Sequence, residues 1–287
     1  MRSVELSDLE IFRSVALEGS VSRAAEKLHR VQSNISTRVK QLEERLGVRL
    51  FLRQSRGLAL TPAGESLLPY AERLLDLCNE AEAALTDGKP RGSFRIGTLE
   101  STAAARLPAV LSRYHALYPD VEVELVTDTS QGLVDRLLAL EIEVALVAEP
   151  VGHGALRTEP VFCEQLVLVM PPSFPGMDRP EALSGRTVIA FKTGCAYRRC
   201  LEDWMRAAGV KPGGVMETSS YHVILACVAA GTGFAAVPRS VLDAVAVKGE
   251  CRLHALPGAA SKVNTLLAWR SDYTSAKLDT LRQILKS

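Results

Sequence analysis

Small polar and basic side chains are concentrated in one stretch of this 287-residue chain, between Gln32 and Gln41. Amide and hydroxyl groups such as those of Gln32 and Ser33 can hydrogen-bond base edges in the major groove of a duplex, and guanidinium or ammonium groups bind its phosphates. If one face of a helix carries these groups, the stretch is suited to reading DNA. With nearby residues of the same types, the candidate contacts are Ser22, Arg30, Gln32, Ser33, Ser36, Thr37, Arg38, Lys40, Arg53 and Arg56.

The helices that would position these residues are indicated by hydrophobic spacing. A first helix is predicted to end at Gly19, with Ser7 and Glu10 in the arrangement of a capping box. Two alanines and a leucine predict a short second helix with a closely packed face. A third helix is predicted to begin at Gln32 and to end at Gly47, a good C-terminal stop. The apolar positions of this third helix are Ile35, Val39, Leu42 and Leu46.

Two short apolar segments at residues 48–52 and 58–60 flank a tight turn. They predict a β-hairpin wing that carries Arg53 and Arg56. Together the elements predict a winged helix-turn-helix in which Gln32–Leu46 is the recognition helix. The alternative for that helix is an ordinary amphipathic helix with a solvated polar face.

The charge distribution fits a polyanionic partner of the N-terminal part. Residues 1–60 contain 11 basic and 7 acidic side chains, whereas the rest of the chain contains 23 basic and 26 acidic ones. The N-terminal part, residues 1–60, is called the head below. Its net positive charge, next to a slightly acidic remainder of the chain, suits contact with nucleic acid through the head. An ordinary solvated basic surface would give the same charge counts. The pattern of residues, and not the charge, therefore has to distinguish it from a nucleic-acid-binding surface.

A long helix is expected to follow the wing, because Thr61 and Pro62 form a strong start signal. Its apolar seam recurs at steps of four and three residues, as in a coiled coil, and a second copy of the helix is the expected partner. The alternative is that the seam packs on the chain's own body. Pro69 within the pattern predicts a kink. The predicted dimerisation seam is Leu67, Ala71, Leu74, Cys78, Ala81 and Leu85.

Beyond a hinge containing Gly and Pro, strands alternate with helical patterns, including a helix over residues 103–117 and a strand over 166–170. Such alternation predicts parallel-rich α/β sheets. Ligands in open α/β sheets bind beyond the carboxyl ends of strands, where hydroxyls and N–H groups at helix starts favour a carboxylate or phosphate. An anionic metabolite is therefore expected, with plain helix capping as the alternative role of each hydroxyl. The candidate effector contacts are Thr98, Ser101, Thr102, Thr129, Lys192, Thr193, Cys195 and His222.

Three motifs, in this order and spacing, resemble the DNA-binding head of LysR-type transcriptional regulators: ALEGSVSRAAEKL, QLEERLGVRLF and LTPAG. The segments GTLESTAAARLPAVLSRYHALYPDVEVEL and VAAGTGFAAVP resemble, more loosely, the effector-binding part of the same family. The resemblance implies contacts to bases or to the DNA backbone from Gln32, Ser33 and Ser36, and a wing contact from Arg53.

The resemblance also implies the remaining architecture. The linker helix would form a dimer that spaces two recognition helices on a palindrome-like site, and the effector part would be similar to periplasmic binding folds with two α/β subdomains. Two residues depart from the family's pattern. Val31 replaces the usual Ser or Thr cap, and Thr37 replaces a common Arg. These departures imply a different support for the helix start and a different operator preference.

The expected fold is an α+β multidomain chain with an N-terminal winged helix-turn-helix, a long linker helix and a C-terminal two-subdomain α/β effector domain. The predicted boundaries are 1–60 for the DNA-binding domain, 61–87 for the linker and dimerisation helix, 88–92 for the hinge, 93–163 with 266–287 for effector subdomain 1, and 164–265 for effector subdomain 2.

The expected function is ligand-responsive regulation of transcription, with the operator bound by a dimer or a dimer of dimers. The expected partners are double-stranded DNA, a small-molecule effector, further copies of the chain in a homodimer or homotetramer, and RNA polymerase. The N-terminus lacks the apolar core of a signal peptide, and no apolar run is long enough to span a bilayer. A cytoplasmic location without membrane contact is therefore expected.

Catalysis, metal binding and cofactor chemistry are not expected. The sequence has no HExxH, GxSxG or P-loop motif, its five histidines are scattered, and GTGFAA at residues 231–236 follows a predicted helix where a dinucleotide site needs a strand. The six cysteines lack paired spacing, but Cys195 and Cys200 leave open the alternative of a thiol-based redox sensor. An architectural DNA-binding protein without ligand control is the other alternative.

Overall fold

The computed structural model describes residues 4–54, 57–86, 89–174, 180–245, 251–256 and 261–286. The chain forms two compact units, Met1–Ser93 and Phe94–Ser287. No helix among the described residues is long and apolar enough to cross a membrane. The elements of the first unit are α1 (Leu6–Glu18), α2 (Val21–Lys27), α3 (Gln32–Leu46), β1 (Phe51–Gln54), β2 (Gly57–Leu60) and α4 (Pro62–Thr86).

The first three helices pack around a small apolar core. Ala24 and Ala25 of α2 are buried, and their short side chains let α2 approach α1 and α3 closely. The predicted helix ends at Gly19 and Gly47 are confirmed, since both glycines adopt the left-handed backbone that commonly terminates a helix. The side chains of this core are Ile11, Val15, Ala24, Ala25 and Ile35. A second cluster adds the segment before β1 and α4 to the packing, and consists of Leu9, Phe12, Leu42, Leu50 and Ala71.

The start of α1 differs from its prediction. The N-cap residue is Glu5, which makes no side-chain capping hydrogen bond, and Ser7 already lies inside the helix. The hydroxyl of Ser7 accepts a hydrogen bond from Arg38, a residue of α3. The capping box is therefore wrong, because the polar groups at this helix start bind a neighbouring helix instead of their own backbone.

Helix α4 begins as predicted, with the Thr61 hydroxyl accepting a hydrogen bond from the Gly64 N–H at 3.0 Å. Pro69 lies within the continuous helix. The predicted seam needs a correction in its first turns, because Ala71 is fully buried against the head and Leu67 packs on the same core. Among the described side chains, the exposed apolar stripe of α4 is formed by Tyr70, Leu74, Leu77, Ala81 and Leu85.

The second unit alternates strands and helices, as predicted. Its strands are β3 (Gly92–Thr98), β4 (Val121–Thr127), β5 (Val144–Ala148), β6 (Leu156–Met170), β7 (Thr187–Ala190), β8 (Gly214–Glu217), β9 (Ala235–Pro238), β10 (Arg252–Ala255) and β11 (Lys262–Arg270). Its helices are α5 (Glu100–Ala105), α6 (Leu107–Leu117), α7 (Ser130–Leu138), α8 (Ala196–Ala207), α9 (Tyr221–Ala229), α10 (Arg239–Ala244) and α11 (Ala276–Leu285), with a 3₁₀ turn at Pro180–Leu183.

The strands form a large mixed sheet and a small parallel pair. The large sheet has the order β10-β6-β11-β5-β3-β4, with β9 beside β6, and the pair is β7 with β8. β11 pairs antiparallel with the first part of β6, from Leu156 to Gln165, with one register shift between Thr265 and Leu266. The remainder of β6 pairs with β9 and β10. A parallel bridge from Val188 to Phe234 joins β7 to the segment before β9.

The helix predicted over residues 103–117 is two helices in the structure. The first, α5, starts directly after β3 and ends at Ala105, and α6 starts at Leu107. Pro108 is the second residue of α6, where the missing proline N–H costs no intrahelical hydrogen bond. The early start of α5 places Glu100 and Ser101 at the carboxyl end of β3.

Candidate functional sites

Helix α3 presents a polar face that no other described part of the first unit covers. Gln32, Ser33, Ser36 and Thr37 are exposed, whereas Ile35 on the opposite side is fully buried. The N-cap residue Val31 has no side-chain capping hydrogen bond, so the start of α3 depends on backbone bonds alone. This face can contact a polar partner without unfolding any part of the head. The other exposed candidates are Ser22, Arg30, Lys40 and Arg53.

Arg38 does not belong to that exposed face. Its Nε lies 2.7 Å from Oδ1 of Asp8, and its Nη2 donates to Oε2 of Glu5 at 2.9 Å. A hydrogen bond from Arg38 and its charge hold the pKa of Glu5 below its usual range. The guanidinium of Arg38 is thus already paired with acidic side chains at the start of α1, and its contact with a phosphate stays a prediction.

A second arginine of α3 completes this ionic cluster. Nη2 of Arg45 lies 2.7 Å from Oδ2 of Asp8, whose side chain is 0% exposed. One buried carboxylate therefore binds two guanidiniums that lie about two turns apart on α3, and the two helices are held in a fixed relative position. The orientation of the polar face depends on this cluster.

The wing is tied to the same helices by hydrogen bonds. Strands β1 and β2 pair antiparallel with Gln54 opposite Gly57, so the predicted hairpin is confirmed with slightly later bounds for its first strand. The Leu58 N–H donates to the carbonyl of Gly19 at 2.9 Å, which attaches β2 to the turn between α1 and α2. Arg53 is exposed on β1, and Arg56 lies outside the described residues.

The buried Glu43 attaches the other wing strand to α3. Its Oε1 accepts hydrogen bonds from the N–H groups of Leu50 at 2.7 Å and Phe51 at 3.2 Å. A carboxylate satisfied in this way fixes where β1 begins. Helix α3 and the hairpin are thus connected by hydrogen bonds.

The second unit contains a cavity of about 280 Å³. Four strand-to-helix junctions surround it, namely β3 to α5, β4 to α7, β7 to α8 and β8 to α9, which is the position predicted from the rule for open α/β sheets. The residues that line the cavity are Leu99, Glu100, Ser101, Thr127, Asp128, Thr129, Ala148, Phe191, Lys192, Cys195, Ala196, Tyr197, Glu217, Thr218, Ser219 and Tyr221.

The predicted effector contacts divide into two groups. Those that line the cavity are Ser101, Thr129, Lys192 and Cys195. Those that do not line it are Thr98, Thr102, Thr193 and His222. Thr98, the last residue of β3, and Thr102 of α5 are fully buried, whereas Thr193 and His222 are exposed to solvent. Ser101 lines the cavity and its neighbour Thr102 does not, and the same holds for Lys192 and Thr193. Neighbouring side chains at a helix start or strand end point in different directions.

The positive charges near the cavity already have anionic partners. Nζ of Lys192 lies 2.8 Å from Oδ1 of Asp128. Burial raises the pKa of Asp128, but Lys192 and the Thr129 N–H outweigh burial and bring the pKa below its ordinary value. Arg198 donates to Glu217 and Glu202, and to the Phe191 carbonyl at 3.0 Å. Lys192 and Arg198 are therefore each paired with a carboxylate of the protein, which would compete with an anionic ligand.

Two tyrosines, Tyr197 and Tyr221, line the cavity. Ser101 donates to the hydroxyl oxygen of Tyr197 at 3.4 Å, a contact between α5 and α8. Tyr221 packs its ring 4.8 Å from that of Phe191. Burial raises the pKa of both tyrosines well above the usual range, so both hydroxyls are neutral. The sequence pattern gave no signal for these residues, since tyrosine is also an ordinary core side chain.

The cysteines do not favour a redox sensor. All six are free thiols, and burial raises the pKa of Cys195 and Cys200 above the usual range. A reactive cysteine needs a lowered thiol pKa, because the thiolate is the nucleophile. Within the part of the chain that the structure describes, no group of three or more His, Cys, Asp or Glu residues could hold a metal ion.

Comparisons with known proteins match both units. The model described as "Bacterial regulatory helix-turn-helix protein, lysR family" matches residues 6–65, and the "LysR substrate binding domain" model matches residues 87–287. A protein of Bacillus subtilis (strain 168) named "Uncharacterized HTH-type transcriptional regulator YusT" is 38% identical over 279 residues, covering 96% of this chain and 94% of its own.

Solved structures share the fold along nearly the whole chain. The Corynebacterium glutamicum OxyR C206 mutant is 26% identical with a TM-score of 0.67, and covers 98% of this chain and 91% of its own. Full-length CbnR in complex with its target DNA is 24% identical with a TM-score of 0.68, and the match covers 99% of both chains.

Proposed function

Since this chain belongs to the LysR family of bacterial helix-turn-helix transcriptional regulators, we propose that α3 reads its operator through Gln32, Ser33 and Ser36. The observation that carries this proposal is the exposed polar face of α3, held in place by the buried Asp8 cluster. Thr37 and Lys40 extend the same contact, and Arg53 of the wing binds the DNA backbone.

The pairing of two such heads is proposed to involve α4. Its exposed stripe contains Leu77, which is 60% exposed, and Leu85, which is 88% exposed. A row of exposed large apolar side chains on a long helix is stabilised when a second copy covers it. The pairing would place two recognition helices on a palindrome-like operator, within a homodimer or a homotetramer. RNA polymerase is a further partner in this proposal.

The second unit is proposed to make DNA binding depend on a small metabolite with a carboxylate group. Hydroxyls and helix starts around the cavity supply hydrogen-bond donors for such a group. Ligand binding would favour one arrangement of the unit and thereby change the spacing of recognition helices. The protein would act by binding, without a catalytic step, and in the cytoplasm.

The role of α3 is tested with Gln32→Ala. We expect this variant to lose about 1–3 kcal/mol of discrimination between operator and random DNA, because an amide that reads a base edge contributes only on the correct sequence. The measurement is fluorescence anisotropy with DNA from just upstream of the protein's own coding region and with a scrambled duplex. Gln41→Ala, an exposed amide near the end of the same helix, is the control.

Arg53→Ala should behave differently from Gln32→Ala. It should weaken binding to both duplexes equally and lower the slope of log affinity against log salt by about 1, as expected for one lost phosphate contact. Equal losses on both duplexes for Gln32→Ala would reject Gln32 as a base reader.

The role of the α4 stripe is tested with Leu77→Glu. A carboxylate in a covered apolar contact would be desolvated, so we expect dissociation to monomers at concentrations where the unaltered chain is oligomeric. The measurement is the molar mass by light scattering after size exclusion. Val31→Glu, which places the same charge at a residue that is 69% exposed outside the stripe, should retain the oligomer. An unchanged mass for Leu77→Glu would place the interface elsewhere.

A further inference from the structure

The acidic side chains of the cavity differ in whether they have a cationic partner. Glu100, Asp128 and Glu217 line the cavity together with one basic residue, Lys192. Asp128 is paired with Lys192, and Glu217 is paired with Arg198. Among the described residues, no lysine, arginine or histidine forms an ion pair with Glu100. Within the described part of the chain, Glu100 is therefore the acidic lining residue without an ion pair, and His222 favours its ionised form less than burial disfavours it.

Glu100 also has an unused acceptor. Its Oε1 accepts a long hydrogen bond of 3.4 Å from the Tyr221 N–H, while its Oε2 is buried with no hydrogen-bond partner. Burial raises the pKa of this carboxyl group, because the charged form loses solvation. An unsatisfied buried acceptor costs free energy, and a donor from a bound ligand removes that cost.

The rest of the lining limits the ligand further. Leu99, Ala148 and Phe191 supply apolar walls, and the helix starts supply hydroxyls at Thr129 and Ser219. Because both nearby cations are engaged by carboxylates, a purely anionic ligand would meet more negative than positive charge. A ligand that brings its own positive charge avoids this repulsion.

We propose that the ligand is an amino carboxylate, such as an α-amino acid, whose ammonium group binds Glu100 and whose carboxylate binds the hydroxyls and N–H groups at the starts of α7 and α9. The proposal rests on the proposed function, since it specifies the chemical class of the same ligand. Its apolar substituent, where present, lies against Phe191 and Leu99. The ammonium group donates to Oε2 and supplies the ion-pair partner that Glu100 lacks among the described residues.

The test is calorimetric titration of the full-length chain with three matched sets of probes. These are the L-amino acids, the corresponding carboxylic acids without the amino group, and the corresponding amines without the carboxylate. We expect at least one amino acid to bind about tenfold or more tightly than both of its analogues, because a charge-assisted hydrogen bond is lost in each.

Variants then identify the ammonium partner. Glu100→Gln keeps the shape of the side chain and removes its charge, and should weaken binding of the amino acid about tenfold or more without weakening binding of the deaminated acid. Glu217→Gln removes a charge from the same cavity at a residue already paired with Arg198, and should leave the preference for the amino acid intact. Thermal unfolding of both variants reports whether the fold is retained.

The possible outcomes separate this inference from the proposed function. Deaminated acids that bind as tightly as the amino acids would overturn the inference and leave the carboxylate ligand standing. An amine that binds as tightly as its amino acid would overturn both. Amino acids that bind Glu100→Gln as tightly as the unaltered chain would overturn the role of Glu100, and failure of every probe to bind would overturn both proposals.

Discussion

Asp8→Ala is expected to lower the free energy of unfolding of the first unit by about 3 kcal/mol, near the lower end of the range for breaking a buried ion pair. The carboxylate of Asp8 is 0% exposed and binds Arg38 and Arg45, so its removal leaves two guanidiniums without their shared partner. The lower end applies because each arginine side chain retains about a quarter of its exposure to water. Denaturant unfolding followed by circular dichroism measures the change.

The control for Asp8→Ala removes an exposed acidic side chain that belongs to α3 itself. Glu44 pairs with Lys40 at 3.6 Å, and both side chains are largely exposed. Glu44→Ala should change stability by no more than about 0.5 kcal/mol, because solvent-exposed ion pairs contribute little. DNA affinity should fall for Asp8→Ala on every sequence, since α3 loses its fixed position. Similar unfolding free energies for the two variants would show that the buried cluster does not hold α3.

Gly57→Ala is expected to destabilise the first unit by about 2–4 kcal/mol, the sum of backbone strain and one lost hydrogen bond. Gly57 has a φ of +124°, and a Cβ placed there would lie 2.6 Å from the carbonyl oxygen of Gly19. That oxygen accepts the hydrogen bond from the Leu58 N–H, so the added methyl group would push β2 away from the turn between α1 and α2. Thermal and denaturant unfolding report the loss, and anisotropy reports the weaker contact of the displaced wing with DNA.

A second glycine, Gly47, serves as a control that distinguishes backbone strain at a positive φ from a steric clash of the added Cβ. Gly47 also has a positive φ, of +74°, but nothing lies within 4 Å of a Cβ placed there. Gly47→Ala should therefore cost only about 1 kcal/mol, the ordinary penalty for a non-glycine residue in this conformation. If Gly57→Ala costs no more than Gly47→Ala, the close approach of the wing to Gly19 is not a constraint on the fold.

Local patterns were sufficient to predict most helices of the head. The apolar spacing from Ile35 to Leu46 and the terminating Gly47 specify α3, because both signals lie within the helix itself. The partner of Arg38 could not be predicted in this way. Asp8 lies 30 residues earlier, and no short-range pattern indicates that two helices will bring these charges together.

Two further differences have the same physical origin. The heptad spacing of α4 does not show which turns other parts of the first unit cover, so it predicts Leu67 and Ala71 in a dimer seam although they pack on their own unit. The strand predicted over residues 166–170 is longer in the structure, because β6 begins at Leu156. Its first part, up to Gln165, has few buried side chains and no clear apolar alternation. It is a strand because β11 pairs with it along that length. In both cases the structure depends on contacts with distant parts of the chain, which local sequence patterns do not show.

The candidate ligand cavity was placed at the correct strand ends, but its chemistry was only partly predicted. Hydroxyls such as Ser101 and Thr129 were identified because helix starts are recognisable. Glu100 is not predicted as a ligand contact, since its proposed role depends on its having no ion-pair partner among the described residues. That property is visible only after Lys192 and Arg198 are seen to be engaged elsewhere.

The Asp8 cluster also bears on how the operator preference of such a protein can change over evolutionary time. Arg38 and Arg45 are committed to folding the head, whereas Gln32, Ser33 and Ser36 make no contribution to its core. Substitutions at exposed positions of this kind usually alter stability by less than about 0.5 kcal/mol. Under the proposed reading of the operator by α3, duplicated copies of this chain can acquire new target sequences through changes in α3 without passing through unstable intermediates.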